Sequence, residues 1–156
     1  MQMPADVRLF RMQQGLKPGG GACHASPMLA DPDDRAIRGV EDAARLFRDG
    51  FAGLTREELR VAHLDEAFRP LGFTVASGGR TVDLPLRRIV ADALRLDATV
   101  MLVAHNHPGG DPTPSRDDRE ATRRLADIVT PLGIRLLDHL VFAAGDHRSF
   151  RALGLL

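Results

Sequence analysis

Residues 99–118 read Thr-Val-Met-Leu-Val-Ala-His-Asn-His-Pro-Gly-Gly-Asp-Pro-Thr-Pro-Ser-Arg-Asp-Asp, and the fold turns on them. The first six are continuously apolar and partly β-branched, which predicts a strand covered on both faces, as in the parallel part of an α/β sheet. The run then breaks into polar residues. His105 and His107 stand two apart at the strand end, where period-two alternation sends both side chains to one face. The Pro108–Pro114 loop turns the chain back, and Ser115 opens a helix in which Asp118 precedes Ala121 by three residues and Leu125 by seven. That spacing extends the inner stripe of the helix to Asp118 and aims its carboxylate at the histidines.

On the C-terminal side, the helix should run from Ser115 to about Thr130, with Ala121, Leu125, Ile128 and Val129 inward and Pro131-Leu132-Gly133 ending it. A strand pair follows: Ile134 to Ala143, a turn at Gly145-Asp146, then Ser149-Phe150. On the N-terminal side, Leu86, Ile89, Val90, Ala93 and Leu94 recur at helical spacing and predict an amphipathic helix over 86–96. Leu59–Leu64 and Gly72–Ala76 suggest a hairpin, with another turn at Ser77–Arg80. A first helix begins near Asp33 or Asp34 as acidic N-cap, carries Ile37, Val40, Ala44 and Phe47, and closes at Gly50. Before it, the glycine- and proline-rich stretch Gln13–Pro32 has no hydrophobic period, so residues 1–34 read as a flexible arm and 35–156 as one domain. Helix, strands, helix, strand, helix, strands make a three-layer α/β sandwich around a mixed sheet.

Composition narrows the function. The chain has 156 residues, 44% hydrophobic and 27% charged, enough for one domain with a real core and not the composition of a disordered chain. It has no apolar run of membrane-spanning length and no secretory-signal layout at Met1–Gln13, so a cytoplasmic protein without a membrane partner is expected. Its 21 basic residues match 21 acidic ones, so net charge gives no general attraction to nucleic acid. Cys23 is the single cysteine, which excludes an all-cysteine metal site and leaves histidines and carboxylates as ligands.

Two imidazoles and a carboxylate form a donor set suited to zinc, with a fourth tetrahedral position open to water, as in a catalytic site. Such a centre needs a base, and Glu57 or Glu58, at the start of the first core strand, can reach it. Taken alone, Ser115-x-x-Asp118 is also a helix capping box, and Ser115 can be both cap and orienting partner. Capping accounts for neither histidine.

The spacing His-x-His, seven residues, Ser, two residues, Asp resembles the JAMM signature of zinc-dependent isopeptidases. The wording around it resembles the JAMM domain of bacterial RadC proteins: Ala104–Pro108, Asp111–Arg116 with Asp118, Leu137-Asp138-His139, and Ser149-Phe150 with Gly154, the likeness covering roughly 36–156. The resemblance implies a cytidine-deaminase-like fold, one zinc per chain on His105, His107 and Asp118, Ser115 as the motif serine helping to hold an oxyanion, and metallopeptidase action on a peptide or isopeptide-linked substrate. Counting back from Leu64-Asp65, it puts the family glutamate at Glu57. The family's repair label implies a weak DNA association, so a DNA-repair-associated accessory domain without peptidase activity is one rival; a metal-dependent phosphodiesterase is another. The helix-hairpin-helix region that usually precedes the RadC domain is not expected within 156 residues, which are too few to add one. Leu86-Arg87-Arg88-Ile89 replaces the common Pro-Arg-Glu-Ile, and Gly109 replaces a serine, suggesting a looser loop.

Other residues read as structural. Adjacent Asp138 and His139 should point to opposite sheet faces, and both are expected to be structural. His63 should be packed or hydrogen-bonded within its strand, and His147 solvated at a turn. Cys23-His24 is a weak stray-metal site. Arg116, Arg119, Arg123 and Arg124, with Arg87 and Arg88, form either a basic rim or a solvated face paired with Asp117 and Glu120.

Overall fold

The computed structural model describes residues 36–77 and 84–156; the arm, the proposed cap at Asp33 or Asp34, Cys23-His24 and most of the Ser77–Arg80 turn lie outside the described residues. Among the described residues, three helices and five strands follow in the order α1 (Val40–Phe51), β1 (Glu58–Leu64), β2 (Pro70–Ser77), α2 (Leu86–Arg95), β3 (Val100–Asn106), α3 (Arg116–Val129), β4 (Arg135–Ala143) and β5 (Asp146–Ser149), with a 3-10 turn at Thr130–Leu132. The sheet order is β2-β1-β3-β4-β5. All pairs are antiparallel except β3–β4, which is parallel because α3 carries the chain across the sheet between them. Pro70, which has no N–H to donate, opens the edge strand β2.

Helices cover both faces, so β3 is buried along its whole length, as its sequence requires. On one face α1 packs Ala43, Ala44, Phe47 and Phe51 against Ala62, Leu64, Leu102, Ala104, Leu140 and Phe142. On the other, Ile89 and Ala93 of α2 and Leu125 and Val129 of α3 meet Leu59, Val61, Met101, Val103 and Leu136. The alternation within β3 is strict: Met101, Val103 and His105 belong to the α2/α3 face; Leu102, Ala104 and Asn106 to the α1 face. This is the mixed-sheet three-layer architecture expected.

Several local expectations are corrected. α1 starts at Val40 with Gly39 as its N-cap, and Ile37 precedes it. Gly50 does not end α1, which continues to Phe51; a Cβ there would overlap the Arg60 guanidinium, so glycine provides the space for Arg60 to cross the helix. The left-handed turn falls at Gly53, and that beside Pro108 at Gly110 rather than Gly109. Open space around the Gly109 position would accept a serine. Leu94 and Ile128, predicted inward, are exposed because they lie outside the stripes that bury Ile89, Asp92 and Ala93 on α2 and Ala121, Thr122, Leu125 and Val129 on α3.

His63 is fully buried, with Nε2 2.8 Å from Thr74 Oγ1. Thr74 donates its hydroxyl proton to Asp92 Oδ2 at 2.8 Å, so His63 Nε2 is the donor and the ring is neutral. Arg88 and Arg95 hold the Asp92 carboxylate from α2, completing a polar tie between that helix and the hairpin.

Burial lowers the His63 pKa from 6.5 to about 4, against the pull of Asp92. Between these values the unfolded chain binds a proton that the folded one refuses. The His63 contribution is therefore complete above about pH 6.5 and falls by about 3 kcal/mol as the pH approaches 4. His139, also lowered by burial, adds to the same loss. Urea unfolding from pH 7.5 to 4.5 should show a shallower loss of stability in His63→Leu than in the wild type; equal slopes would contradict the assignment.

Candidate metal centre

The C-terminal end of β3, the loop after it and the first turn of α3 bring three side chains together. Ligand atoms of His105, His107 and Asp118 all lie within 4.8 Å of one another. The two Nε2 atoms are 2.9 Å apart, and each lies 3.4 Å from one oxygen of the Asp118 carboxylate. His105 and Asp118 are each 2% exposed, whereas His107 lines an open cleft of about 370 Å³ together with Glu57, Asp111 and Ser115.

The surrounding hydrogen bonds decide which ring nitrogens carry protons. The Asp118 carbonyl can only accept, so Thr122 Oγ1 donates to it at 2.5 Å. With its proton committed, Thr122 Oγ1 accepts from His139 Nδ1–H at 2.7 Å. His139 is wholly buried, and desolvation and the neighbouring imidazoles hold its pKa well below the ordinary value, so its Nε2 is bare. That nitrogen accepts from His105 Nδ1–H at 2.8 Å, so in the neutral ring His105 Nε2 is a lone pair facing Asp118. His107 Nδ1–H donates to the Asp111 carbonyl at 2.7 Å, so its Nε2 is bare too in the neutral ring. Two lone pairs 2.9 Å apart beside a carboxylate repel one another unless a cation lies among them. The residues therefore fit a divalent metal ion, and the cluster can hold one.

A proton competes for the same place. Asp118 raises the His107 pKa, against burial and with help from the Asp111 carbonyl and the Glu57 charge. Burial alone would raise the Asp118 pKa, but His105, His107 and Ser115 together hold it far below the carboxylate range. Metal uptake from acid solution thus releases a proton.

Capping and ligand placement turn out to be one arrangement. Ser115 N and Oγ both donate to Asp118 Oδ2, at 2.8 and 2.6 Å, and Asp118 N donates back to Ser115 Oγ at 3.1 Å. The box fixes the carboxylate in place, and the acidic first turn suits the positive end of the helix dipole.

The two glutamates separate cleanly. Glu58 lies on the α1 side, bound to Arg60 at 2.6 Å and accepting from Ser77 Oγ at 2.9 Å. Glu57, one residue earlier and on the opposite phase, is half-buried in the metal cleft. Asn106 accepts from Glu58 N at 2.7 Å and donates to the Arg56 carbonyl at 3.0 Å, so it ties down the backbone on either side of Glu57. Sequence reasoning passed over Asn106 and Thr122.

The reading of Asp138 and His139 needs a partial correction. Asp138 is structural: it accepts from Ser149 Oγ and from Arg151 N. His139, however, touches His105, because β4 bulges: Met101 pairs with Leu136 but Leu102 with Asp138, and the skipped Leu137 moves His139 onto the α3 face. His147 is not solvated at a turn but lies in β5 stacked on Phe142, with ring centroids 5.6 Å apart. Of the basic residues, Arg88 engages Asp92, Arg119 donates to the Pro114 and Ser115 carbonyls, and Arg124 lies 3.4 Å from Glu120.

A mixed α/β sheet that delivers two imidazoles to a helix-borne aspartate at the end of its central strand defines a metal-site domain of the JAB/MPN type. Residues 37–155 match the RadC-like JAB domain, and the chain belongs to that family. A UPF0758 protein of Moorella thermoacetica is 38% identical over 123 residues, 77% of this chain and 53% of the relative. One from Roseiflexus sp. strain RS-1 is 39% identical over 131 residues, 82% of this chain and 56% of the relative. UPF0758 protein STH371 of Symbiobacterium thermophilum is 53% identical over 70 residues, 45% of this chain and 30% of the relative. The chain spans about half the length, or less, of these curated relatives. Among the described residues, no helix is long and apolar enough to cross a membrane.

The proton relay is testable through Thr122, whose hydroxyl bonds the Asp118 carbonyl and His139. Thr122→Val keeps the shape and removes the hydroxyl, so zinc affinity measured by chelator competition should fall roughly 10–100-fold with the far-UV spectrum unchanged. Unchanged affinity would refute the relay.

Proposed function

We propose that this domain is a zinc-dependent hydrolase that cleaves an amide or isopeptide bond, with His105, His107 and Asp118 holding one zinc and Glu57 as general base. The observation that carries the reading is the convergence of two bare imidazole nitrogens and a buried carboxylate in a cleft that also contains a half-buried glutamate. A zinc ion held there supplies Lewis acidity, polarising a carbonyl and easing deprotonation of water. Glu57 takes the proton from the attacking water and returns it to the leaving nitrogen, so one carboxylate serves as base and then as acid. Asn106 keeps Glu57 over the cleft by holding its backbone neighbours. Ser115 commits its hydroxyl proton to Asp118, so its first task is to orient that carboxylate; donation to an oxyanion requires the hydroxyl to rotate away.

Single-metal chemistry suits the site better than a two-metal phosphodiesterase mechanism, which places ions about 4 Å apart. Among the described residues, one cluster has the donors for a metal ion. The peptide or isopeptide nature of the bond rests on the family resemblance.

Elemental analysis tests the ligand set. The purified chain should carry about one zinc, lost in His107→Ala and retained in Glu57→Ala; equal metal content in all three would overturn the assignment. On a substrate found by screening peptide and isopeptide libraries, Glu57→Ala should lower turnover by about 100-fold or more while the metal stays bound.

A further inference from the structure

We propose that a second cavity, on the α1 side of His107 and Pro108, is a subsite for an apolar, uncharged side chain next to the bond that is cut. The inference rests on the hydrolase reading above and adds a substrate class to it. The cavity has a volume of about 330 Å³ and is walled by Phe51, Leu54, Phe142 and Ala143. His107 and Pro108 line both this cavity and the metal cleft, so a ridge of two residues separates them. An extended peptide advances about 3.3–3.6 Å per residue, so one crossing the ridge places consecutive groups on its two sides. A scissile carbonyl at the metal cleft leaves the neighbouring side chain beside the second cavity.

The chemistry of the walls selects what enters. The Phe51 and Phe142 rings, 5.1 Å apart and tilted by 38°, present carbon surface. Arg48 and Asp146 stand at the cavity as a cation and an anion; Arg48 lies 3.9 Å from Glu41, and Asp146 accepts from His147 N at 2.7 Å and keeps its negative charge. An anionic side chain entering would lose hydration and meet the Asp146 charge with Arg48 already beside Glu41, whereas an aliphatic or aromatic one gains burial. The site is also preformed. Phe142 is stacked on His147, its carbonyl accepts from His107 N at 2.7 Å, and the Ala144-Gly145 turn beside it is held at φ 47° and 84°. The pocket wall and His107 are thereby joined by one hydrogen bond. A third cavity, at Glu58 and Ser77, has about 130 Å³ and a polar lining, which suits it less well to such a side chain.

The test uses zinc-loaded protein and N-acetylated glycyl, leucyl, phenylalanyl and aspartyl hydroxamates, with affinity measured calorimetrically so that no substrate is needed. Leucyl and phenylalanyl hydroxamates should bind at least about tenfold more tightly than the glycyl compound, and the aspartyl compound no better than glycyl. Ala52→Trp, which fills the mouth, and Ala144→Asp, which places a charge at a positive-φ position that aspartate tolerates, should flatten this ranking and leave glycyl affinity unchanged. Equal affinity for all four, or preference for the aspartyl compound, would overturn the subsite while the metal reading stands. Absence of hydroxamate binding, or binding that persists in His107→Ala, would overturn the hydrolase reading itself and the subsite with it.

Discussion

A chain of hydrogen bonds from the Asp118 carbonyl through Thr122 and His139 to His105 fixes the chemistry of the centre. It begins at a group that can only accept, and each later member has one proton to give, so the direction of every bond is forced. Its output is a bare Nε2 on His105, aimed where the Asp118 side chain also points. The same helical residue thus contributes at both ends of the circuit, its carbonyl starting the relay and its carboxylate receiving the ligand pair. Because α3 packs on the sheet through Ala121, Thr122, Leu125 and Val129, the burial that secures the helix also sets the protonation of the site. A disturbance of that packing should reach the histidine–aspartate cluster through the tautomer of His105 before it reaches the fold.

The sheet explains why so polar a cluster can be buried at all. Its apolar layers end with Ala104 in β3, and the next three residues, His105, Asn106 and His107, keep the alternation of the strand while changing its chemistry. The α3 face receives two imidazoles. The α1 face receives the amide of Asn106, which is spent on the backbone at Arg56 and Glu58. The histidine pair and the tie that holds the backbone around Glu57 are therefore consecutive steps of one pleat. That geometry sits at the carboxyl ends of the parallel pair β3–β4, where open α/β sheets commonly place their sites.

Much of this was legible because it follows from periodicity. The apolar run over 99–104 announces a strand buried on both faces, His-x-His puts both rings on one of them, and the helical stripe through Ala121 and Leu125 extends to Asp118. The two glutamates stayed open on spacing alone and the resemblance pointed to Glu57; in the structure Glu57 falls in phase with Leu59 and Val61, Glu58 with Arg60 and Ala62. What was not legible depends on events that break period or join distant segments. Nothing in Leu136-Leu137-Asp138-His139 marks the bulge that carries His139 to the ligand face, since pairing register is a property of two strands. Gly50 reads as a helix stop, yet its meaning is set by Arg60, which arrives from the neighbouring strand to meet Glu58 and lie 5.2 Å from the Phe51 ring centroid. Leu94 and Ile128 look inward by hydrophobicity and are exposed because each stripe is filled by its neighbours, including the polar Asp92 and Thr122.

Polar residues on those inner stripes show how the two sides of the α2/α3 layer differ in purpose. Asp92 and Thr122 occupy equivalent places, each buried on a helix and each hydrogen-bonded into a network with a histidine of the sheet. In the α2 network, the chain from His63 through Thr74 ends on Asp92, whose carboxylate is met by Arg88 and Arg95; the proton flow ends in an ion pair, and His63 is left as a neutral packing group. In the α3 network donation likewise runs from the sheet through a threonine to the helix, but it passes through two imidazoles, ends on the Asp118 carbonyl, and leaves the Nε2 of His105 facing the Asp118 carboxylate and His107. The two arrangements use the same side-chain types at similar burial. What separates them is the acceptor at the helix end and the number of imidazoles: the Asp92 carboxylate with its own cations closes the first on one histidine, whereas a backbone carbonyl closes the second on two, the outer of which faces a carboxylate.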